Sequence, residues 1–267
     1  MISNEWTDVE YDIQQDATVD RFMPLMPPHL SEQVGTYLAK KEEDIVEYRV
    51  YPVTSEEYID KIAEYLLYRN TKKESPKYTN RRDCAMWIIG INLSLRCSDL
   101  IKMKVRDFLE VDERGKMRWA LGKKICEQKT SKVRELWYNN VVISAVAKWV
   151  TDERLDPNDY LFRSNRPWTN ESGEKCEYVN RRSYGARLRE AGEAVGYPLP
   201  ISTHSMRKTF VYHRYVNCPD EKKADMIVQL QRLLKHSSPL ITMRYIGFND
   251  EDVKNLYNDV NLGKIIF

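Results

Sequence analysis

The sequence has no apolar run long enough to cross a bilayer, so a membrane-spanning protein is not expected. Its start, Met1 to Glu10, is polar and acidic, with neither the basic head nor the apolar stretch of a secretory signal. A cytoplasmic location is the expectation. Cysteine is scarce: Cys84, Cys97, Cys126, Cys176 and Cys218 are odd in number, scattered, and form no C-x-x-C pair. That pattern argues for reduced thiols and against a disulfide framework or a zinc site. The ten glycines contain no phosphate loop of the G-x-x-x-x-G-K type, which removes ATP dependence. No cofactor and no metal are expected.

What is present suits a globular chain of one large domain or two modest ones: 267 residues, 42% hydrophobic and 31% charged. The net charge of +2 hides an asymmetry. Residues 1 to 50 hold 4 Lys and Arg against 11 Asp and Glu, while the remainder holds 38 against 29. A basic body fits a polyanionic partner, because Lys and Arg neutralise phosphates and release counterions. An ordinary solvated surface has the same charge balance, so charge permits nucleic acid without diagnosing it.

Residues 1–51 read as a separate acidic segment, interrupted by Pro24, Pro27 and Pro28, with a weak helix from about Ser31 to Glu47. Residues 52–267 read as a second unit. Thr54-Ser55-Glu56-Glu57 has capping-box form, and Ile59, Ile62, Ala63, Leu66 and Leu67 recur at helical spacing. A second helix is predicted over Arg81–Leu95, with Ala85, Ile88, Ile89 and Asn92 on its stripe, and a third starting at Ser98. Met117–Leu121, Ile125–Gln128 and Val133–Tyr138 read as short strands, with a polar turn at Lys129-Thr130-Ser131-Lys132. Helical patterns return at Ile143–Val150, Tyr184–Val195, Ser205–Val216, Glu221–Leu234 and Pro239–Tyr245, and a last one covers Asp250–Phe267. Arg163–Arg182 reads as a polar loop. The fold class is α+β, mostly helical, with one small antiparallel sheet.

Four histidines narrow the chemistry: His29, His204, His213 and His236. His204 and Arg207 form H-x-x-R, and positions three apart share a helix face. His213, nine residues beyond His204, is half a turn out of phase and points elsewhere. Further on, Leu233-Leu234-Lys235-His236-Ser237-Ser238 precedes Tyr245, which lies nine residues after His236. Upstream, Leu93-Ser94-Leu95-Arg96-Cys97-Ser98-Asp99-Leu100 places an arginine at a helix junction. Each piece has an ordinary reading: a pairing of Arg96 with Asp99, solvated turn lysines, a capping His236, one half-buried aromatic among seventeen tyrosines.

Together, in this order, they resemble the tyrosine recombinases, the phage-integrase family, over about Pro52 to Gly263. The resemblance implies that Tyr245 attacks a DNA phosphorus to give a 3′-phosphotyrosine, with Arg96 and Arg207 on the non-bridging oxygens. It implies a hairpin lysine as general acid for the 5′-hydroxyl; Lys129 matches best and Lys132 is the alternative. His204 corresponds to the proton-handling residue near the tyrosine and His236 to a phosphate hydrogen-bond donor. Double-stranded DNA is the implied partner, at the nucleoid. The implied assembly is a homo-tetramer exchanging C-terminal tails, although a tail folded on its own domain fits the sequence equally. An accessory directionality factor belongs to the same expectation.

Three departures stand out. Lys235 occupies a position where the family commonly has Gly, and Met206 replaces the usual Leu. Residues 1–51 are short and acidic where the family has a larger basic helical bundle. A DNA-binding regulator on the same fold is therefore the alternative function, and a nicking-closing topoisomerase a third reading of the same chemistry.

Overall fold

The computed structural model describes residues 50–70, 77–111, 113–114, 117–127 and 133–247. The acidic N-terminal segment up to residue 49, the turn lysines Lys129 and Lys132, and the tail Asp250–Phe267 lie outside the described residues. All that is described belongs to one compact unit beginning at Val50.

Helix α1 (Glu56–Tyr68) opens with Glu56 and Glu57, whose charges suit the positive end of the helix dipole. The expected capping box does not form: Ser55 is the N-cap and no side chain bonds to the free N–H groups. Helix α2 (Tyr78–Leu93) begins three residues before the predicted start and is the centre of the molecule, packed against α1 and against α4 and α6, defined below. With neighbours on several sides it buries Asp83, Met86, Trp87, Ile89, Gly90 and Leu93; of the predicted stripe Ile89 is fully buried and Ala85 and Ile88 pack partly buried on the core. The third helix, α3, is a four-residue turn, Cys97–Leu100, and Arg96 rather than Ser98 is its N-cap.

Three antiparallel hairpins replace the single expected sheet among the described residues: β1 (Leu109–Val111) with β2 (Met117–Trp119), β3 (Lys123–Cys126) with β4 (Val133–Leu136), and β5 (Arg163–Thr169) with β6 (Lys175–Tyr178). In the second, Cys126 pairs with Val133, the strand residues on either side of the segment 128–132 in the sequence. The third corrects the expected loop at 163–182. Its β5 strand is mostly exposed, carries Pro167, and has an irregular register between Arg163 and Trp168. No alternation is visible in such a strand.

Helices α4 (Asn140–Glu153) and α5 (Arg181–Ala194) start at Asn139 and Asn180, whose side chains accept from Val142 N at 2.9 Å and Ser183 N at 3.1 Å. Helix α6 (Thr203–Val216) starts with a reciprocal cap between Ser202 and Ser205, after which α7 (Lys223–Leu234) and α8 (Pro239–Ile246) complete the order. Ser238 caps α8 and Pro239 occupies its first turn, where the missing N–H costs nothing. Most apolar residues form one core around α2, and Val211, Cys218, Met226, Leu230, Leu234 and Ile246 form a smaller one between α6, α7 and α8. No helix among the described residues is long and apolar enough to cross a membrane.

Candidate active site

The site is built where α2 ends. Ser94 is its C-cap and adopts a left-handed conformation, φ 55° and ψ 27°, which costs a non-glycine residue on the order of 1 kcal/mol. Two buried guanidinium groups hold that strained turn. Arg134 on β4 donates to Leu93 O at 2.8 Å and Ser94 O at 3.2 Å, and Arg207 on α6 donates to Ser94 O at 3.1 Å. The turn in turn places Arg96, whose Nη1 meets Glu127 Oε2 at 2.6 Å. Glu127 is fully buried, whereas Arg96 keeps some exposure. Arg96 thus pairs with a residue two positions before Lys129 in the sequence.

Arg207 also donates to Leu234 O at 2.7 Å, the last residue of α7, and so ties the large core to the small one. Two of its five N–H donors are used in this way, and Nε, also buried, has no partner among the described residues. Burial in the main, with Arg96 and Arg134 close by, brings its pKa down to about 10. Helix α6 can approach α2 this closely because Gly90 faces Met206: a side chain at residue 90 would collide with the Met206 sulfur. Met206 is fully buried there, and the Tyr184 hydroxyl lies 3.7 Å from its sulfur. The exchange of Leu for Met fills the same space with a more adaptable chain.

Tyr245 sits on α8, half-buried, with its ring against the small core. Its hydroxyl is hydrogen-bonded to Nε2 of His204. The two rings meet edge to face, 5.1 Å between centroids, and the His236 ring packs on Tyr245 from 4.8 Å. His236 is buried and its Nδ1 is 3.0 Å from the Thr242 hydroxyl, which fixes the ring orientation. Lys208 Nζ stands 5.4 Å from the Tyr245 ring and donates to Val50 O at 2.8 Å. Burial, then the charges of Lys208, Arg207, His236 and Arg96, hold the His204 imidazole well below its ordinary pKa. A neutral ring near pH 7 in the Nδ1–H tautomer accepts at Nε2 from the phenol.

Of the sequence-predicted residues, His204 and His236 both contact Tyr245, and the charges of Arg207 and Arg96 act on His204 from beside the Ser94 turn. Lys129 and Lys132 lie outside the described residues. His213 bonds to Val53 O at 3.0 Å, on another side of α6, as its phase predicted. Three residues escaped the sequence reading: Glu127, Arg134 and Lys208. Lys208 lies four residues after His204 and was recoverable from helical spacing. Arg134 occupies an inward position of a short strand, where a charge reads as an exception to the pattern rather than a signal. Among the described residues no group of three or more His, Cys, Asp or Glu could hold a metal ion. The chemistry available is that of a phenol hydroxyl beside a neutral imidazole, faced by fixed guanidinium charge.

Comparison with known proteins shows the family of the chain. The phage integrase family model matches residues 57–252, and the chain belongs to that family, the tyrosine recombinases. It is 35% identical over 208 residues to the probable integrase/recombinase YoeC of Bacillus subtilis (strain 168), covering 78% of this chain and 95% of that one. Among solved structures, XerA recombinase superposes with a TM-score of 0.50 at 21% identity over 79% of this chain. XerH site-specific recombinase, in a post-cleavage complex with a palindromic difH substrate, gives 0.50 at 17% identity, again over 79%. The fold is therefore that of the recombinases. The chain spans only 64% of XerA and 54% of XerH.

Proposed function

We propose that the chain is a site-specific DNA recombinase that cleaves and rejoins strands through a 3′-phosphotyrosine at Tyr245, serving integration or excision of a phage or other mobile element. The observation that carries this is the hydrogen bond between the Tyr245 hydroxyl and a neutral His204, with His236 packed on the same ring. His204 takes the phenolic proton as the oxygen attacks phosphorus, and the P–O5′ bond breaks as the new P–O bond forms. Arg96 and the uncommitted donors of Arg207 stabilise the added charge of the phosphorane, where preorganised cations count most. Lys129 delivers the proton to the 5′-oxygen, with Lys132 as the alternative donor. His236 donates a hydrogen bond to the phosphate. Religation to a second strand reverses these steps.

The working partner is double-stranded DNA, with four copies assembled on it through exchanged tails at Asp250–Phe267 and a separate factor setting direction. Residues 1–51 serve as a separate contact or occluding segment. A regulator that keeps the fold without strand exchange is the competing reading, favoured by the acidity of residues 1–50.

The deciding experiment is capture of SDS-resistant protein–DNA adducts from host cells, followed by sequencing, for wild type and Tyr245→Phe. Discrete covalent peaks that vanish in the variant are expected, with occupancy by formaldehyde capture nearly unchanged. Occupancy without covalent peaks in either strain would establish the regulator instead.

A further inference from the structure

At the other end of α2, away from Tyr245, lies a charge cluster for which the strand-transfer chemistry has no use. Asp83 is fully buried and receives three arginines: Arg69 Nη2, Arg82 through Nε and Nη2 at 3.2 and 2.9 Å, and Arg187 through Nε and, at 3.2 Å, Nη2. Arg69 and Arg82 are themselves buried, with side chains 6% and 4% exposed. One carboxylate against three guanidinium groups leaves two positive charges in excess in a region of low polarisability. A buried charge of that kind is costly unless an anion compensates it.

A cavity of about 550 Å³ opens beside this cluster, between the start of α2, the β5–β6 hairpin and the start of α5. Ten residues line it, three of them Arg82, Arg166 and Arg187, and none of the ten is acidic. Thr79, Asn165 and Ser183 add neutral hydrogen-bonding groups to the wall. Arg166 is exposed, and its guanidinium makes no ion pair or hydrogen bond among the described residues. Arg82 and Arg187 are held rigid by Asp83, and Arg82 also donates through Nη1 to Arg163 O at 3.1 Å, so they bring fixed positive charge to the cavity wall while most of their donors stay bonded within the protein. Cationic, polar, acid-free and built on a buried charge excess, the cavity has the chemistry of an anion site.

We infer that this cavity binds a phosphate group, separately from the catalytic centre. Arg166 closes on it from the hairpin while Arg82 and Arg187 supply the fixed floor. From Arg82 to Ser94 the helix rises roughly 18 Å at 1.5 Å per residue. A duplex lying over Tyr245 could reach the cavity with a backbone phosphate a few nucleotides away, and a free phosphate compound could also fill it. Only the first of these sources rests on the recombinase reading.

The test uses the full chain and two probes. Inorganic phosphate is titrated at constant ionic strength against sodium chloride, and the thermal midpoint is followed for wild type, Arg166→Gln and Arg187→Gln. Phosphate should raise the wild-type midpoint in a saturable way, and both variants should weaken its apparent affinity several-fold. Arg166→Gln keeps the inference testable even if Arg187→Gln unfolds, since Arg166 holds no structural bond. The second probe is duplex DNA, bound at a series of salt concentrations. If a DNA phosphate is the ligand, Arg166→Gln lowers the slope of log affinity against log salt by about 0.9. A loss of phosphate binding with an unchanged DNA slope assigns the cavity to a free phosphate compound. Wild-type and Arg166→Gln responses that coincide in both arms would overturn the inference. Absence of covalent Tyr245 adducts would refute the recombinase reading without altering either readout here.

Discussion

The two hydrophobic cores of this protein do different jobs. The large one, around α2, positions the guanidinium groups: Arg96 and Arg134 stand on elements packed into it, and the strained Ser94 turn is its edge. The small one, between α6, α7 and α8, carries Tyr245, the proposed nucleophile, packed against its buried residues. Electrostatic stabilisation needs rigidity, and a large core supplies it. A nucleophile that must attack, become covalently attached and later be released is better carried on a lighter assembly with fewer buried neighbours. Arg207 is the joint, bonded to Ser94 O on one side and Leu234 O on the other.

The comparison breaks most completely at that joint. Arg207→Ala should reduce strand cleavage by at least about a hundred-fold, the scale of losing a fixed charge-stabilising donor. It should also lower stability by about 2–3 kcal/mol, because buried carbonyls lose a charged donor. Chemical unfolding followed separately at Trp87 in the large core and at a probe on α7 is the check. Loss of cleavage with coincident, unshifted transitions would mean that Arg207 does not join the two cores.

A smaller effect sharpens the electrostatic side. His204 has its pKa depressed in the folded state, so the unfolded chain binds the additional proton as pH falls. Its contribution to stability is complete above the ordinary histidine value of about 6.5 and is lost as pH drops toward the depressed folded value. Cleavage that uses neutral His204 as base should persist through this range and fade only as pH falls to the depressed folded value. Urea unfolding of wild type and His204→Gln between neutral and mildly acidic pH tests this. Parallel acid slopes in the two proteins would remove His204 from the account.

The smallest expected effect lies in the connection between α7 and α8. Lys235 is the C-cap of α7 with φ 57°, a conformation that L side chains adopt at a cost. The family's glycine at this position is therefore explained by backbone geometry. Lys235→Gly should raise stability by about 1 kcal/mol, read from the urea midpoint with an unchanged slope. No gain would mean that the lysine side chain offsets the strain through its own contacts.

Much of this was legible in the sequence, for reasons that differ by element. Helices α5 to α8 were found because each buries one face on few neighbours, so periodicity survives. For α2 the predicted stripe was incomplete, missing Met86, Trp87 and Leu93, because a helix surrounded by partners buries more than one face. The β5–β6 hairpin was missed because Trp168, Cys176 and Tyr178 are its principal inward side chains and the intervening residues are polar. At the site, the motif order supplied Arg96, His204, Arg207, His236 and Tyr245. Glu127 and Arg134 are joined to these only through space, across 31 and 40 residues of intervening chain in their bonds to Arg96 and Ser94. Spacing along a chain carries no trace of such pairs.

The pairing of Arg96 with Glu127 has a consequence for how this protein could change over time. Glu127 stands two residues before Lys129, so in the proposed chemistry the arginine that holds the phosphate and the lysine that protonates the leaving group depend on one acid. A sequence change at Glu127 would release Arg96 from its bond and disturb both proposed roles at once.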